Sequence, residues 1–590
     1  MSTIQTDKKS QLIDRLTRTL EERLPEQTAA MAATFAREYY QHVPPEDLLE
    51  EEWEDLYGAA LSHFNFMRQR PPGTALVRVY NPSYEEHGWL STHTVVEIVT
   101  DDMPFLVDSV SMELNRNSLT LHRIFHPVLA VERDKRGQLT GVHPLREDGQ
   151  DILTEAVMHF EVDSRTDPKV LATLEGDIRR VLQDVRAAVE DWQAMRERLL
   201  AVTEAQDPKA LPAPDGEVEE TKEFLRWVAD NHFTLLGYRV YDLSEEDGQL
   251  VLRAQSGTGL GILRDNHDHR AAQQVAVLPQ QQRDVALSPS LMVLTKANTR
   301  STVHRPAHLD YLGIKRFDDS GRVIGEHRFL GLYTSLAYSL NPRYIPLLRD
   351  KIRKVMERAD LPAVSHTGKA LQHILDTFPR DELFQATVED LYDISMGILH
   401  LEERQRLKLL VRRDAFERFL SCFVYVPRER YNTKLRMRMQ QVLIKAFNGT
   451  SSEFVVQFSE TILARVLITV YTRPGEIPDY SVAEIENQLR ETMQSWEDRL
   501  SYELLEQVGE ESGNQLFNLY GNAFPAGYRE DFSARTGVRD ILRLERLSDG
   551  HPLEMHLYRP LEDPQGRLSF KVFGRNQAMP LSDALPILER

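Results

Sequence analysis

The stretch VTDDMPFLVDSVSMEL, residues 99–114, decides how the first part of the chain is read. Residues 95–99 form the alternating apolar run Val-Val-Glu-Ile-Val, which stops at two carboxylates, Asp101 and Asp102. Pro104 then opens a segment with Leu106, Val107, Val110 and Leu114 at helical spacing. A strand is therefore predicted to feed a helix through a tight acidic turn. Asp102 is placed to cap a helix that begins at Met103 or Pro104, where negative charge suits the helix dipole. Asp101 and Asp102 are adjacent on an extended segment and point to opposite sides, which disfavours a catalytic carboxylate pair. The same backbone donors can receive a carboxylate ligand while an acidic side chain takes its ammonium group.

Outward from this turn, residues 119–133 alternate again through Leu121, Arg123, Phe125, Leu129 and Val131, and residues 156–163 make a further strand. A long helix carries Leu171, Leu174, Ile178, Val181, Val185, Val189 and Trp192 on one face. This β-α-β-β-α order returns later, with strands at 420–427, 453–460 and 464–472 and helices at 431–447 and 481–500. Repetition of form without visible similarity suggests a duplicated small module, an antiparallel sheet with helices on one face. A strand pair at 553–559 and 568–573, across Asp563-Pro564-Gln565-Gly566, and a helix from 581 read as a third, unfinished copy. The fold class is α+β. The expected parts are an N-terminal helical segment (1–90), a first module (91–200), a proline-bearing acidic linker (201–220), a β-rich mixed domain (221–340), a helical connector (341–415), a second module (416–500), a second connector (501–547) and the third module (548–590). Within the β-rich part, strands are expected at 233–243, 290–295 and 301–303, with a hairpin at 318–321.

At about 100–200 residues per domain, 590 residues hold several units, and 41% hydrophobic content suffices for packed cores. A single cysteine, Cys422, excludes an intramolecular disulfide and points to the reducing cytoplasm. Neither a secretory leader nor an apolar run of about 20 residues is found, so no membrane partner is expected. A net charge of −20 argues against nucleic acid as a partner, and the basic residues Lys434, Arg436 and Arg438 read as the solvated side of an amphipathic helix whose other side carries Leu435, Met439, Val442 and Leu443.

Other chemical motifs carry little. The Gly257-Thr258-Gly259-Leu260-Gly261 turn departs from GxGxxG, since Ile262 holds its last position, so no cofactor is expected in this portion. The pairs His122/His126 and His304/His308 lack a third ligand, and the run Asp265 to His269 lacks cation-loop spacing, so no metal is expected. Cys422 lies in an apolar strand, where a thiol is a small hydrophobe. No catalytic residue is assigned.

Residues 94–108 resemble the DRPGLL strand-turn-helix signature of ACT domains, the β-α-β-β-α-β, ferredoxin-like modules that sense amino acids. Here Asp102 and Met103 stand where that family often has Arg and Pro-adjacent residues, and Phe105 stands where Gly is common. The larger match lies in MPFLVDSVSMELNR (103–116), HFTLLGYRVYDL (232–243), FLGLYTSLAYSLNPRYIPLLRDKI (329–352), SHTGKALQHILDTFPRDELFQ (365–385) and CFVYVPRERYNTKLRMRM (422–439). These resemble the N-terminal region of the very large bacterial NAD-specific glutamate dehydrogenases. The resemblance implies three ACT-like domains, a β-rich insert, helical connectors, and a catalytic, NAD-binding domain beyond residue 590. The chain would then be a non-catalytic regulatory and assembly portion, self-associating as a homo-oligomer with a tetramer as one candidate state. An amino-acid effector, if bound, would sit at Asp101, Asp102, Met103, Pro104 and Phe105. The rival reading is a stand-alone amino-acid sensor or interaction scaffold.

Overall fold

The computed structural model describes residues 3–145, 153–205, 213, 215–265, 267, 275–362, 364–401, 406–458, 462–558 and 568–575. It divides into two compact units, Met1–His400 with Asp414–Arg418, and Leu401–Arg413 with Phe419–Arg590.

The first unit opens with helices α1 (Thr3–Arg23), α2 (Glu26–Gln41), α3 (Pro45–Leu49) and α4 (Trp53–Met67). Strand β1 (Leu76–Tyr80), the one-turn helix α5 (Tyr84–His87) and β2 (Thr94–Asp101) follow, then α6 (Leu106–Arg116), β3 (Leu121–Phe125), β4 (Val128–Arg133), β5 (Leu139–His143), β6 (Leu153–Val162) and α7 (Pro168–Glu190). The sheet order is β1-β2-β6-β4-β5, and β3 also pairs with β6. The expected single strand over 119–133 is thus two pieces laid along β6, interrupted at His126-Pro127, where proline has no N–H to give to the ladder. Asp167 and Pro168 start α7 as a cap and an N1 proline, and its stripe Leu174, Ile178, Val181, Val185 is buried.

Two expectations are corrected here. The segment 1–90 is not all helical, because β1 joins the sheet by pairing antiparallel with β2. Helices also cover both faces of this sheet. Val110, Leu114, Ile178 and Val185 of α6 and α7 lie over Val96, Ile98, Met158 and Phe160. Leu16, Phe35, Tyr39 and Phe64 of the N-terminal helices lie over Val99, Phe125, Leu129 and Val157.

Helices α8 (Trp192–Glu204) and α9 (Asp215–Trp227) lead into the β-rich part. Of the expected linker 201–220, residues 206–212 and 214 lie outside the described residues, while 201–204 belong to α8 and 215–220 to α9, so both its ends are helical. Strands β7 (Phe233–Glu246), β8 (Gln249–Ala254), β9 (Leu260–Gly261) and β10 (Val275–Leu278), helix α10 (Gln280–Leu287), and strands β11 (Met292–Arg300), β12 (His308–Phe317) and β13 (Val323–Tyr333) form a sheet of order β10-β8-β7-β13-β12-β11, with β9 on β7. The hairpin at Asp318 joins β12 to β13, where Asp318 Oδ1 accepts the Ser320 and Arg322 N–H groups. Residues 301–303, expected as a strand, are a bend held by Ser301 Oγ donating to the Val303 carbonyl. The unit continues with α11 (Ser335–Ser339), α12 (Leu348–Ala359), α13 (His366–Asp376), α14 (Arg380–Gln385) and α15 (Val388–Leu399).

The second unit begins with β14 (Lys408–Arg413), which was expected inside the helical connector. It continues with β15 (Phe419–Pro427), α16 (Thr433–Ala446), β16 (Ser451–Phe458), β17 (Leu463–Tyr471) and α17 (Val482–Met493), in the sheet order β14-β15-β17-β16. Leu435, Met439, Leu443, Ile485 and Leu489 cover Cys422, Val424, Val466 and Ile468. The helix expected over 481–500 breaks at Gln494, and Ser495 and Asp498 form a capping box for α18 (Trp496–Val508). Trp496, Leu500 and Leu504 therefore pack with Phe524, Val538 and Ile541 in a bundle with α19 (Glu510–Tyr520), α20 (Ala526–Asp531) and α21 (Ala534–Leu544). Strands β18 (Leu553–Tyr558) and β19 (Ser569–Gly574) pair antiparallel as expected, while the turn at 563–566 and the helix from 581 lie outside the described residues.

Both modules share a layout that differs from the one expected. The strand completing each sheet beside β2 or β15 is the one that precedes it, β1 or β14, so the second module runs β-β-α-β-β-α rather than β-α-β-β-α-β, and the first has the same frame with one strand split into β3 and β4 and with β5 added at the edge beside β4. An antiparallel edge position satisfies its neighbour's donors and acceptors whichever end of the module supplies the strand. Among the described residues no helix is long and apolar enough to cross a membrane.

Candidate functional site

The acidic turn divides its two aspartates between opposite sides, as strand alternation requires. Asp101 accepts hydrogen bonds from Arg70 Nη2 at 2.6 Å and Arg186 Nη2 at 2.7 Å. Arg70 is 1% exposed and shares Glu155, the cross-strand neighbour of Asp101, with Arg133. Burial by itself would raise the Asp101 carboxyl, but the hydrogen bonds from Arg186 and Arg70 outweigh it and hold the group below its ordinary range. Asp101 therefore ties the segment before β1, the sheet and α7 together, and both its oxygens are engaged.

Asp102 does not cap the helix. Its N–H donates to the Thr154 carbonyl at 3.0 Å, and α6 begins only at Leu106 with Phe105 as its N-cap residue and no side-chain cap. Phe105 has φ +74°, the left-handed region that glycine occupies readily and phenylalanine does not. The position where ACT domains commonly have Gly is thus the one that needs it, which was the available signal for the true helix start. Burial raises the Asp102 carboxyl, against the Met103 N–H acting the other way. Asp102, Met103, Phe105, Asp108, His126 and Met158 line a cavity of about 160 Å³. That is room for roughly five waters.

A loop of the β-rich part closes one side of this turn. The Phe105 ring lies 4.9 Å from the His304 ring, Ser109 Oγ donates to the Phe105 carbonyl at 2.6 Å, and the His304 N–H donates back to Ser109 Oγ at 3.0 Å. His304 Nδ1 stands 3.7 Å from Asp108. Chemically, the cavity offers an uncapped helix N-terminus for a carboxylate and the acidic groups Asp102 and Asp108 for an ammonium.

The remaining motifs fall into structural places. His122 pairs with Asp163 at 2.8 Å while His126 lines the cavity, and His308 bonds the Ala297 carbonyl, so neither histidine pair converges. Asp265 holds Arg239 and the Gly257 N–H, whereas His267 meets Asp184; residues 266, 268 and 269 lie outside the described set. Cys422 is buried, and Leu435, Met439 and Leu443 are the core side of the basic helix. The glycine turn does not fit a dinucleotide. It leads into the two-residue β9 rather than a helix, and its Gly257 and Gly261 N–H groups donate to Asp265 and Asp191.

One cluster escaped the sequence reading because its members are far apart in the chain. His63 on α4, Glu97 on β2 and His159 on β6 meet between the N-terminal helices and the sheet, all fully buried. Among the described residues, they are the group able to hold a metal ion, with one ligand atom from each lying within 4.8 Å of the other two. Burial lowers His63 to about 4. Burial opposes ionisation of Glu97, but His63, His159 and Arg78 overcome it and hold the carboxyl at about 2.

Residues 35–178 match the family described as glutamate dehydrogenase, ACT1 domain; 345–404, helical motif 1; 408–497, ACT2 domain; 503–547, helical motif 2; and 552–590, ACT3 domain. The chain is 39% identical over 587 residues to the NAD-specific glutamate dehydrogenase of Halomonas elongata, covering 99% of this chain and 36% of that protein. It is 36% identical over 578 residues to that of Pseudomonas aeruginosa, covering 97% and 35%. To that of Mycobacterium tuberculosis it is 27% identical over 545 residues, covering 90% and 32%. The chain spans about a third of the length of these curated relatives.

Proposed function

This chain belongs to the family of large bacterial NAD-specific glutamate dehydrogenases, and on that premise we propose that it is the regulatory and assembly portion of such an enzyme. The complete enzyme would convert L-glutamate, NAD+ and water to 2-oxoglutarate, ammonia and NADH in the cytoplasm. The observation that carries this reading is the succession of ACT-domain and helical-motif matches along the chain, none of them described as a catalytic domain. The dehydrogenase chemistry and its NAD then belong to other parts of a protein about three times as long. On the purified 590-residue chain, calorimetry is expected to show no saturable NADH binding, and glutamate is expected to drive no NAD reduction. Saturable NADH binding would overturn the assignment.

Assembly is supported by the edge strand β16, whose Phe454 and Val455 are 43% and 65% exposed. Sedimentation of the chain is expected to show a concentration-dependent oligomer. A monomer at all concentrations, beside an oligomeric intact enzyme, would move assembly elsewhere. An amino-acid effector is assigned to the Asp102 to Asp108 cavity. In a thermal-shift screen of amino acids, Asp102→Asn is expected to weaken any hit about tenfold or more, the loss of one charge-assisted contact. An unchanged affinity would place the effector at another site.

A further inference from the structure

We propose that His63, His159 and Glu97 form a binding site for a divalent transition-metal ion, Zn2+ by preference, which pins the N-terminal helices to the first sheet. The argument starts from atoms the fold leaves without partners. His63 Nε2 and both His159 ring nitrogens are buried and make no hydrogen bond, a costly state for polar atoms away from water. His159 Nδ1 lies 3.7 Å from Glu97 Oε1. Ligand atoms about 2.0 Å from a tetrahedral ion sit about 3.3 Å apart, so this group, whose ligand atoms lie within 4.8 Å of one another, completes three vertices with a closure of up to about 1.5 Å.

The surroundings are those of ligands held in place. Tyr39 Oη is 3.1 Å from His63 Nδ1, which leaves His63 Nε2 as the ligating atom. Glu161 Oε1 is 3.5 Å from His159 Nε2, the carboxylate on the far side of a ligating imidazole. Arg78 bonds Glu97 Oε2, and the Tyr80 hydroxyl donates to Glu97 Oε1 at 3.0 Å. Two imidazoles and a carboxylate suit Zn2+ or Co2+ rather than Ca2+ or Mg2+. Water takes the fourth position, and Trp89 Nε1–H, buried without a partner and with its ring 6.2 Å from that of His159, is a donor available to it. A protonated His159 between Glu97 and Glu161 would explain the carboxylates but would leave His63 Nε2 unsatisfied.

The test uses the 590-residue chain with any affinity tag removed. It is unfolded with chelator, refolded with one equivalent of Co2+ or Zn2+, and passed through a desalting column. Elemental analysis is expected to find about one ion per chain, and the Co2+ form is expected to show the visible absorption of tetrahedral Co2+. His63→Gln and His159→Gln are expected to carry only background metal. Tyr39→Phe, which keeps all three ligands, is expected to keep the stoichiometry and lose ten- to a hundredfold in affinity. A wild-type chain that refolds to its native melting temperature without retaining either ion overturns the site, whatever the variants do. So does an unchanged Co2+ spectrum in both histidine variants.

Discussion

The first and second modules share a frame, β1-β2-β6-β4 and β14-β15-β17-β16, to which the first adds β5 at its edge, but they have different second faces, and the difference lies in one central strand of each. On β17, Ala464, Val466, Ile468 and Val470 are buried while Arg465, Leu467, Thr469 and Tyr471 are half-buried. On β6 both sets are buried, so Glu155, His159 and Glu161 lie in the interior beside Val157. The turns entering the first helix differ too. In the second module Asn432 accepts the Leu435 N–H at 2.9 Å and caps α16, whereas no side chain caps α6. One topology thus supports a module sealed between two helical layers around polar groups and another with one helical layer and a capped helix. A fold sets the positions available; the layers added to it decide which polar groups become buried.

The largest effect that would test this contrast is Glu155→Gln. Arg70 and Arg133 would lose their shared carboxylate in the interior, at a cost of about 3–5 kcal/mol. Hydrogen exchange in peptides spanning β2 and β6 should report it as lost protection. A cost below about 1 kcal/mol would mean that this face is wet after all. Next, Phe125→Ala on the sealed face is expected to cost about 3–5 kcal/mol. Leu467→Ala on the half-buried face of the second sheet should cost about 1–2 kcal/mol. Denaturant unfolding of each unit, followed by exchange, separates the two, and equal costs would show that the second face is covered in solution.

The aspartates of the first turn sharpen the comparison by their pH dependence. The carboxyl of Asp101 is held below its unfolded value, so its ion pairs stabilise fully above that value and the contribution is lost as pH falls through the folded one. Asp101→Asn is expected to cost about 2 kcal/mol at pH 7 and progressively less below about pH 4. Asp102 is shifted upward, so its contribution is present below the unfolded value and lost as pH rises. Asp102→Asn should therefore leave the melting temperature unchanged or raised at pH 7, and calorimetry at pH 7 and pH 4 checks both signs. The smallest effect is Asn432→Ala, about 1 kcal/mol through the lost cap.

Much of the architecture was legible. The strands at 420–427 and 464–472 and the helices over 104–117 and 431–447 follow from apolar spacing, which burial on one face enforces. The leading strands were not, because LVRVY and KLLVRR are short, carry arginine and become strands by pairing with β2 and β15. The sealed face was hidden for a different reason. Glu155, His159 and Glu161 alternate with Ala156, Met158 and Phe160 as they would on a strand facing water, and the layer that buries them is complementary in polarity, presenting His63 and Tyr39. The break at Gln494 was masked because Met493, Trp496 and Leu500 keep helical spacing across it. At the site, the turn was found but Asp102 was given the wrong task, since the left-handed backbone at Phe105 shows in the sequence only through the glycine that ACT domains commonly have there, and the helical spacing of Leu106, Val107 and Val110 does not mark where the helix starts.

That phenylalanine makes the turn a loaded joint. A left-handed backbone costs a residue with a Cβ about 1–2 kcal/mol, and here it is sustained while the ring lies against His304 and the Ser109 hydroxyl bridges the two segments. Backbone preference and side-chain packing pull in opposite directions at one residue. The 301–307 loop of the β-rich part and the entrance to α6 therefore meet at the one residue of this turn whose backbone is held against its own preference.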